Sequence, residues 1–336
     1  MMTKTNPILQ DSFGRNHAYL RISLIERCNL RCTYCMPEEG VKLSPKSHLM
    51  TYEEIYEIAK TFVDNGVTKI RLTGGEPLIR KDIPVILEKL ATLPVELSIT
   101  SNAVIIDRFI AILRASAVKK INVSLDTLDR EKFKQITRRD QFTKVYNNIV
   151  LLIKEGFTVK VNAVLMKGFN DNEIIDFINL TKDLPVSIRF IEFMPFDGNK
   201  WNISKMVSYK HIMNRVSSAF NDDEIIRLQD APNDTSKNYK IEGYKGSFAV
   251  ISSVTNPFCD SCNRLRLTAN GQLKNCLFSS TESDLLTTLR HGKSIEPIIK
   301  KAVEAKFKIR GGMNTLKKLQ EPKLHSQNRS MITIGG

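Results

Sequence analysis

No apolar run in the sequence is long enough to cross a bilayer. The stretch from Met1 to Tyr19 is polar, is broken by Pro7 and Gly14, and lacks the apolar h-region of a secretory signal. A cytoplasmic chain with no membrane segment is the expectation. There is also no basic run of the length that marks nucleic-acid arms, because the Lys and Arg residues behind the net charge of +14 are spread along the sequence. Nucleic acid is thus a weak explanation of the charge, and an anionic small substrate explains clustered cations equally well. With no Walker P-loop and no G-x-G-x-x-G, a nucleotide site would have to be built some other way. Cysteine is sparse, six in 336 residues, which is not the density of a small disulfide scaffold. In a reducing compartment such grouped thiols more often bind metal.

What is present is an alternation of short β-rich runs and amphipathic helical stretches between residues 19 and 194. Strands are expected at Tyr19 to Leu24, Thr68 to Thr73, Val95 to Thr100, Lys119 to Leu125, Thr158 to Leu165 and Val186 to Phe193. Between the first two, Thr51 to Asn65 carries apolar Ile55, Ile58, Ala59 and Phe62 at helical spacing and ends on Asn65-Gly66. Six right-handed βαβ units predict an α/β fold, an open or partial (β/α)6 barrel rather than a closed eight-stranded one. After Pro195 the rhythm changes, with short strands such as Ser247 to Ser252 and Arg264 to Thr268 and a hairpin signal at Asn270-Gly271. Residues 1–195 read as the barrel and residues 196–336 as a smaller α+β extension packed against it.

Cys28, Cys32 and Cys35 form C-x-x-x-C-x-x-C directly after the first strand. Three thiolates this close can each take one iron of a cubane and leave the fourth iron open for chemistry. A zinc reading needs a fourth ligand, and the one near histidine is His48. Cys259, Cys262 and Cys276 form C-x-x-C, then thirteen residues, then C. The expected hairpin would return Cys276 to the pair, again giving three thiolates; zinc remains the rival here too.

Parallel strands covered on both faces normally read as unbroken apolar runs. Here Arg21, Arg71, Lys160 and Arg189 each interrupt one. A single such cation could point to water or pair with a carboxylate, but four in one barrel fit a pocket for a triphosphate. Arg264 and Arg266 alternate along a strand and share one face, beside the second cysteine group. Thr100 and Ser124 close strands at the end where α/β folds bind ligands.

The first cysteine group, with Tyr34 before its last member, and Gly74-Gly75-Glu76-Pro77 after the second strand resemble the radical S-adenosylmethionine superfamily. Both groups together, the Arg264-Leu265-Arg266 triplet and the terminal Gly335-Gly336 resemble the GTP 3′,8-cyclase family, along nearly the whole chain. The resemblance implies two [4Fe-4S] clusters and S-adenosylmethionine as cofactors, with Tyr34, Gly75, Ser124 and Met194 contacting the latter and Glu76 assisting its amino group. It implies that GTP lies between the clusters, held by Arg21, Arg71, Thr100, Lys160, Arg189, Arg264, Leu265 and Arg266, with the Gly-Gly tail entering the site. A 5′-deoxyadenosyl radical would remove the ribose 3′ hydrogen, and the ribose carbon would attack C8 of guanine, with no acid–base dyad required. Implied partners are an electron donor of flavodoxin or ferredoxin type and a downstream cyclic pyranopterin monophosphate synthase; a homodimer is admitted. One departure stands out: Thr100-Ser101-Asn102-Ala103 lies where the family often has Thr-Thr-Asn-Gly. The rival readings are a related radical enzyme acting on a peptide or another nucleotide, and a zinc protein that binds nucleic acid.

Overall fold

The computed structural model describes residues 7–37, 39–321, 323–324 and 328–335. Six parallel strands alternate with helices: β1 (Tyr19–Ser23), α1 (Tyr52–Asp64), β2 (Lys69–Thr73), α2 (Ile83–Ala91), β3 (Glu96–Ser101), α3 (Ile110–Ala115) and β4 (Lys120–Ser124). The pattern continues with α4 (Arg130–Thr137), α5 (Phe142–Lys154), β5 (Thr158–Leu165), α6 (Ile174–Asp183) and β6 (Ser187–Glu192). Local chemistry sets the helix ends. Thr51 caps α1 reciprocally with Glu54, and Asn65 closes it before Gly66, whose φ of 107° no branched residue adopts cheaply.

The chain then forms α7 (Tyr209–Ser217), β7 (Ile225–Arg227), β8 (Lys237–Ile241), β9 (Ser247–Ile251), β10 (Arg264–Leu267), β11 (Gln272–Lys274), β12 (Ser283–Asp284), α8 (Leu286–Arg290) and α9 (Glu296–Glu304). These strands do not make a second sheet laid on the first. β9 pairs in parallel with β6, and β10 pairs in parallel with β1, giving one sheet in the order β12-β11-β10-β1-β2-β3-β4-β5-β6-β9-β8-β7. The expectation of an extension merely packed against the barrel missed this, because strand order across a crossover leaves no mark in local sequence.

Alternation along the strands explains the buried cations. Leu20 and Ile22 of β1, Ile70 and Leu72 of β2, Ile188 and Phe190 of β6, and Leu265 and Leu267 of β10 all belong to one apolar core. Their odd neighbours, Arg21, Arg71, Arg189, Arg264 and Arg266, line a single cavity on the other face. Six strand spacings separate β10 from β6, about 29 Å on a flat sheet. Side chains from both ends meet in that cavity, so the sheet curls round it.

Candidate active site

The loop after β1 carries the first cysteine trio and is tied down on two sides. Arg31 and Thr33 donate backbone N–H groups to the Thr137 and Ile136 carbonyls at the end of α4, at 2.9 and 2.8 Å. On the other side Gly75 donates to Ile25 O at 2.7 Å and Glu76 to Arg27 O at 2.9 Å. A Cβ at Gly75 would stand 2.1 Å from Arg27 O, a backbone atom, so only glycine allows this approach. Burial pushes the Cys28 thiol up to about 11 and Cys35 to about 12, and holds Cys32 well above its ordinary value; the neighbouring sulfurs and Asp126 add to the rise for Cys32 and Cys35. Buried thiols that cannot ionise beside one another call for a positive centre. An iron–sulfur core supplies it and takes one thiolate at each of three corners, so the residues fit that group.

Round the trio, buried carboxylates organise the strand ends. Glu76 accepts Leu78 N–H at 3.1 Å and the Ser101 hydroxyl at 2.9 Å on one oxygen, and Asn102 N–H at 2.7 Å on the other. Burial nonetheless lifts its carboxyl to about 7. Ala103 has φ of 60°, the left-handed region that a glycine would enter freely. Its N–H donates to Ser101 Oγ at 2.9 Å and its carbonyl accepts from Asn148 at 2.6 Å, which holds it there. Tyr34 donates to Asp126 Oδ2 at 2.8 Å, and Asp126 Oδ1 takes Val164 N–H at 2.8 Å. The ring of Tyr34 thereby links the cluster loop to the ends of β4 and β5, next to Ser124. Burial raises the Asp126 carboxyl to about 6.

The second trio lies in the cavity. β10 and β11 turn through Asn270-Gly271, Thr268 donates to Gln272 O at 2.9 Å, and Gly271 takes φ of 73°. Cys276, two residues past β11, therefore lines the same wall as Cys259 and Cys262. Burial pushes the Cys262 thiol up, but Lys306 and Arg264 outweigh it and bring it down to about 6. Lys306 donates to Arg264 O at 2.9 Å and to the Asn275 carbonyl, bridging the two strands of the hairpin. Register sets Arg266, Arg21 and Arg71 side by side across β10, β1 and β2. Thr100 of β3, Asn122 of β4, Asn162 of β5 and Arg189 of β6 complete the ring. Arg21 Nε, Arg189 Nε and Arg264 Nη2 are buried without a hydrogen-bond partner among the described residues. Buried guanidinium nitrogens without partners leave this cavity short of negative charge, a deficit that a polyanion could fill.

The sequence matches the Radical SAM superfamily over residues 22–181 and Molybdenum Cofactor Synthesis C over residues 186–311. It is 41% identical to the GTP 3′,8-cyclase of Thermodesulfovibrio yellowstonii over 98% of this chain and 100% of that one. It is 47% identical to the mitochondrial GTP 3′,8-cyclase of Arabidopsis thaliana, over 99% of this chain and 85% of that one. The chain belongs to the GTP 3′,8-cyclase family. It spans about half the length of other relatives, among them molybdenum cofactor biosynthesis protein moc-5 of Caenorhabditis elegans, where it covers 51%. The fold is also that of Streptococcus suis SuiB bound to S-adenosylmethionine, with a TM-score of 0.60 at 18% identity over 84% of this chain and 65% of that one.

In this GTP 3′,8-cyclase family chain not every expected residue reaches the cavity. Leu265 does not: the alternation that turns Arg264 and Arg266 inward sends its side chain into the apolar core against β1. Lys160, paired in register with Asn122 and two residues before Asn162, shares the inward face of β5 beside the ring, and Arg189 and Arg71 add to the effect of burial and lower its amine to about 7. Met194 lines the cavity on the side of Cys276 and packs beside Leu277 and Phe278. Gly335 lies inside the sheet's curl, where a Cβ would meet Thr73 Oγ1 at 2.6 Å and Ser23 Cβ at 2.9 Å, and Arg266 donates to its carbonyl. Gly336 lies outside the described residues. Sequence reading passed over Asp126, Asn102, Asn122, Asn162, Lys306 and Arg310. The polar strand-end residues Asn122 and Asn162 were findable by carrying the Arg alternation into β4 and β5. Lys306, in the segment after α9, carries no local signal.

Proposed function

We propose that this chain cyclises GTP to 3′,8-cyclo-7,8-dihydro-GTP by radical chemistry, the opening step of molybdenum cofactor biosynthesis. The observation that carries the reading is the cavity that joins the second cysteine trio to a ring of five inward arginines. Family membership and the names of the two cyclase relatives support it. Bound at Cys28, Cys32 and Cys35, a [4Fe-4S] cluster and S-adenosylmethionine supply the hydrogen-abstracting radical. The chain supplies placement. Gly75, Tyr34 of the cluster loop and Ser124 at the end of β4 shape the cofactor's seat, and Met194 separates it from the second trio.

Arg21, Arg71, Lys160, Arg189, Arg264 and Arg266 hold the triphosphate, and Thr100 meets the nucleoside. Cys259, Cys262 and Cys276 would hold a second cluster that would orient the purine, and the Gly-Gly tail would close the site, Gly335 already lying against Thr73 and Ser23. Leu265, its side chain in the core, would contribute through its backbone between Arg264 and Arg266. In this reading residues 1–195 carry the radical centre and residues 196–336 the substrate centre, in a cytoplasmic enzyme. It receives electrons from a flavodoxin- or ferredoxin-type donor and passes product to a cyclic pyranopterin monophosphate synthase. The test is anaerobic incubation of the reconstituted protein with reductant, S-adenosylmethionine and GTP. Formation of 5′-deoxyadenosine that depends on GTP, with the cyclised nucleotide as product, is expected; deoxyadenosine formation indifferent to GTP would overturn the proposal.

A further inference from the structure

Asn102 follows β3 and is 7% exposed, and its polar atoms are spoken for in a definite order. Its backbone N–H goes to Glu76 Oε2 at 2.7 Å, and its side-chain Oδ1 accepts Val104 N–H at 3.0 Å. With the carbonyl end fixed, the amide nitrogen faces the cluster loop. Nδ2 donates to Asn29 Oδ1 at 2.7 Å and to Cys28 Sγ at 3.5 Å. Cys28 Sγ also takes Leu30 N–H at 3.4 Å.

The support behind Asn102 is rigid. Ser101 Oγ bridges Glu76 Oε1 and Ala103 N–H, each at 2.9 Å, and the left-handed Ala103 turns the chain so that the Asn102 side chain points back at the sulfur. Among the described residues, Cys28 is the member of its trio whose sulfur meets a side-chain donor. A donor aimed at a thiolate ligand favours the state in which the cluster carries more negative charge, which is the reduced one.

We propose that Asn102 is a positioning residue for the first cluster: it holds the Cys28 sulfur in place and raises the reduction potential of the cluster bound there. The inference rests on the reading of Cys28, Cys32 and Cys35 as cluster ligands. It assigns a distinct purpose to the Glu76 carboxylate, which fixes the Ser101-Asn102 backbone from below.

The test is an EPR-monitored redox titration of the full-length reconstituted protein, following the signal that changes when S-adenosylmethionine is added. Asn102→Ala removes both side-chain contacts. Asn102→Asp keeps an acceptor for Val104 N–H but replaces the donor with a charge. At wild-type iron content, the midpoint potential is expected to fall in Asn102→Ala and further in Asn102→Asp. Potentials equal to wild type would overturn the inference. Loss of iron in both variants, with wild type fully loaded, would overturn it as well, since Asn102 would then serve folding rather than tuning. Wild-type protein with no signal that responds to S-adenosylmethionine would instead sink the reading of the trio itself.

Discussion

Lys160 illustrates how much one buried charge depends on what fills the cavity. Burial first, and then Arg189 and Arg71, lower its amine to about 7, so the ligand-free fold favours the neutral form. Stability from this group therefore rises with pH between about 7 and the ordinary lysine range, where the unfolded chain binds the extra proton, and is absent below. A bound triphosphate reverses the preference. GTP binding is expected to take up a proton above pH 7 and to weaken with rising pH, by at most about tenfold per unit. Calorimetry in buffers of different ionisation enthalpy measures the uptake, and Lys160→Met should abolish it. Gly75 gives a second prediction. Its missing Cβ would lie 2.1 Å from Arg27 O, so Gly75→Ala should cost more than about 2 kcal/mol in denaturant unfolding and shed the first cluster's iron. At this scale the cations and thiols were legible because such residue types are rare inside strands and close together. That the Leu265 side chain turns into the core was not read, because resemblance does not say which face a residue occupies. Asn102 was missed because an asparagine after a strand looks like any turn residue.

Among elements, the β10–β11 hairpin does the most for the second trio. Asn270-Gly271 was readable as a turn before any fold was known, since φ of 73° at the second position is what Asn-Gly favours. Its tertiary constraint was not readable: a Cβ at Gly271 would meet Leu286 Cβ at 2.4 Å, at the start of α8. Gly271→Val is expected to displace Cys276 and to halve the iron content while leaving the S-adenosylmethionine-responsive signal intact, as iron analysis and EPR would report. The six barrel strands came out of the sequence within one or two residues of their observed limits, because alternating units set both period and spacing. The parallel pairing of β10 with β1 and of β9 with β6 did not, since it joins segments distant in sequence.

Taken whole, the molecule is a sheet rolled so that its apolar residues face the helices and its polar ones face each other. Part of the excess behind the net charge of +14 thereby lies inside the curl, where it faces a cavity suited to an anion. No helix among the described residues is long and apolar enough to cross a membrane. The proposed chemistry requires two thiolate trios, one in the loop after β1 and one lining the cavity, each of which would hold three corners of a cubane. Iron and inorganic sulfide counted in anaerobically reconstituted protein test this most directly. About eight of each per chain are expected, falling to about four when Cys259, Cys262 and Cys276 are all replaced by alanine. Zinc in place of iron, or about four irons in the unaltered chain, would contradict it.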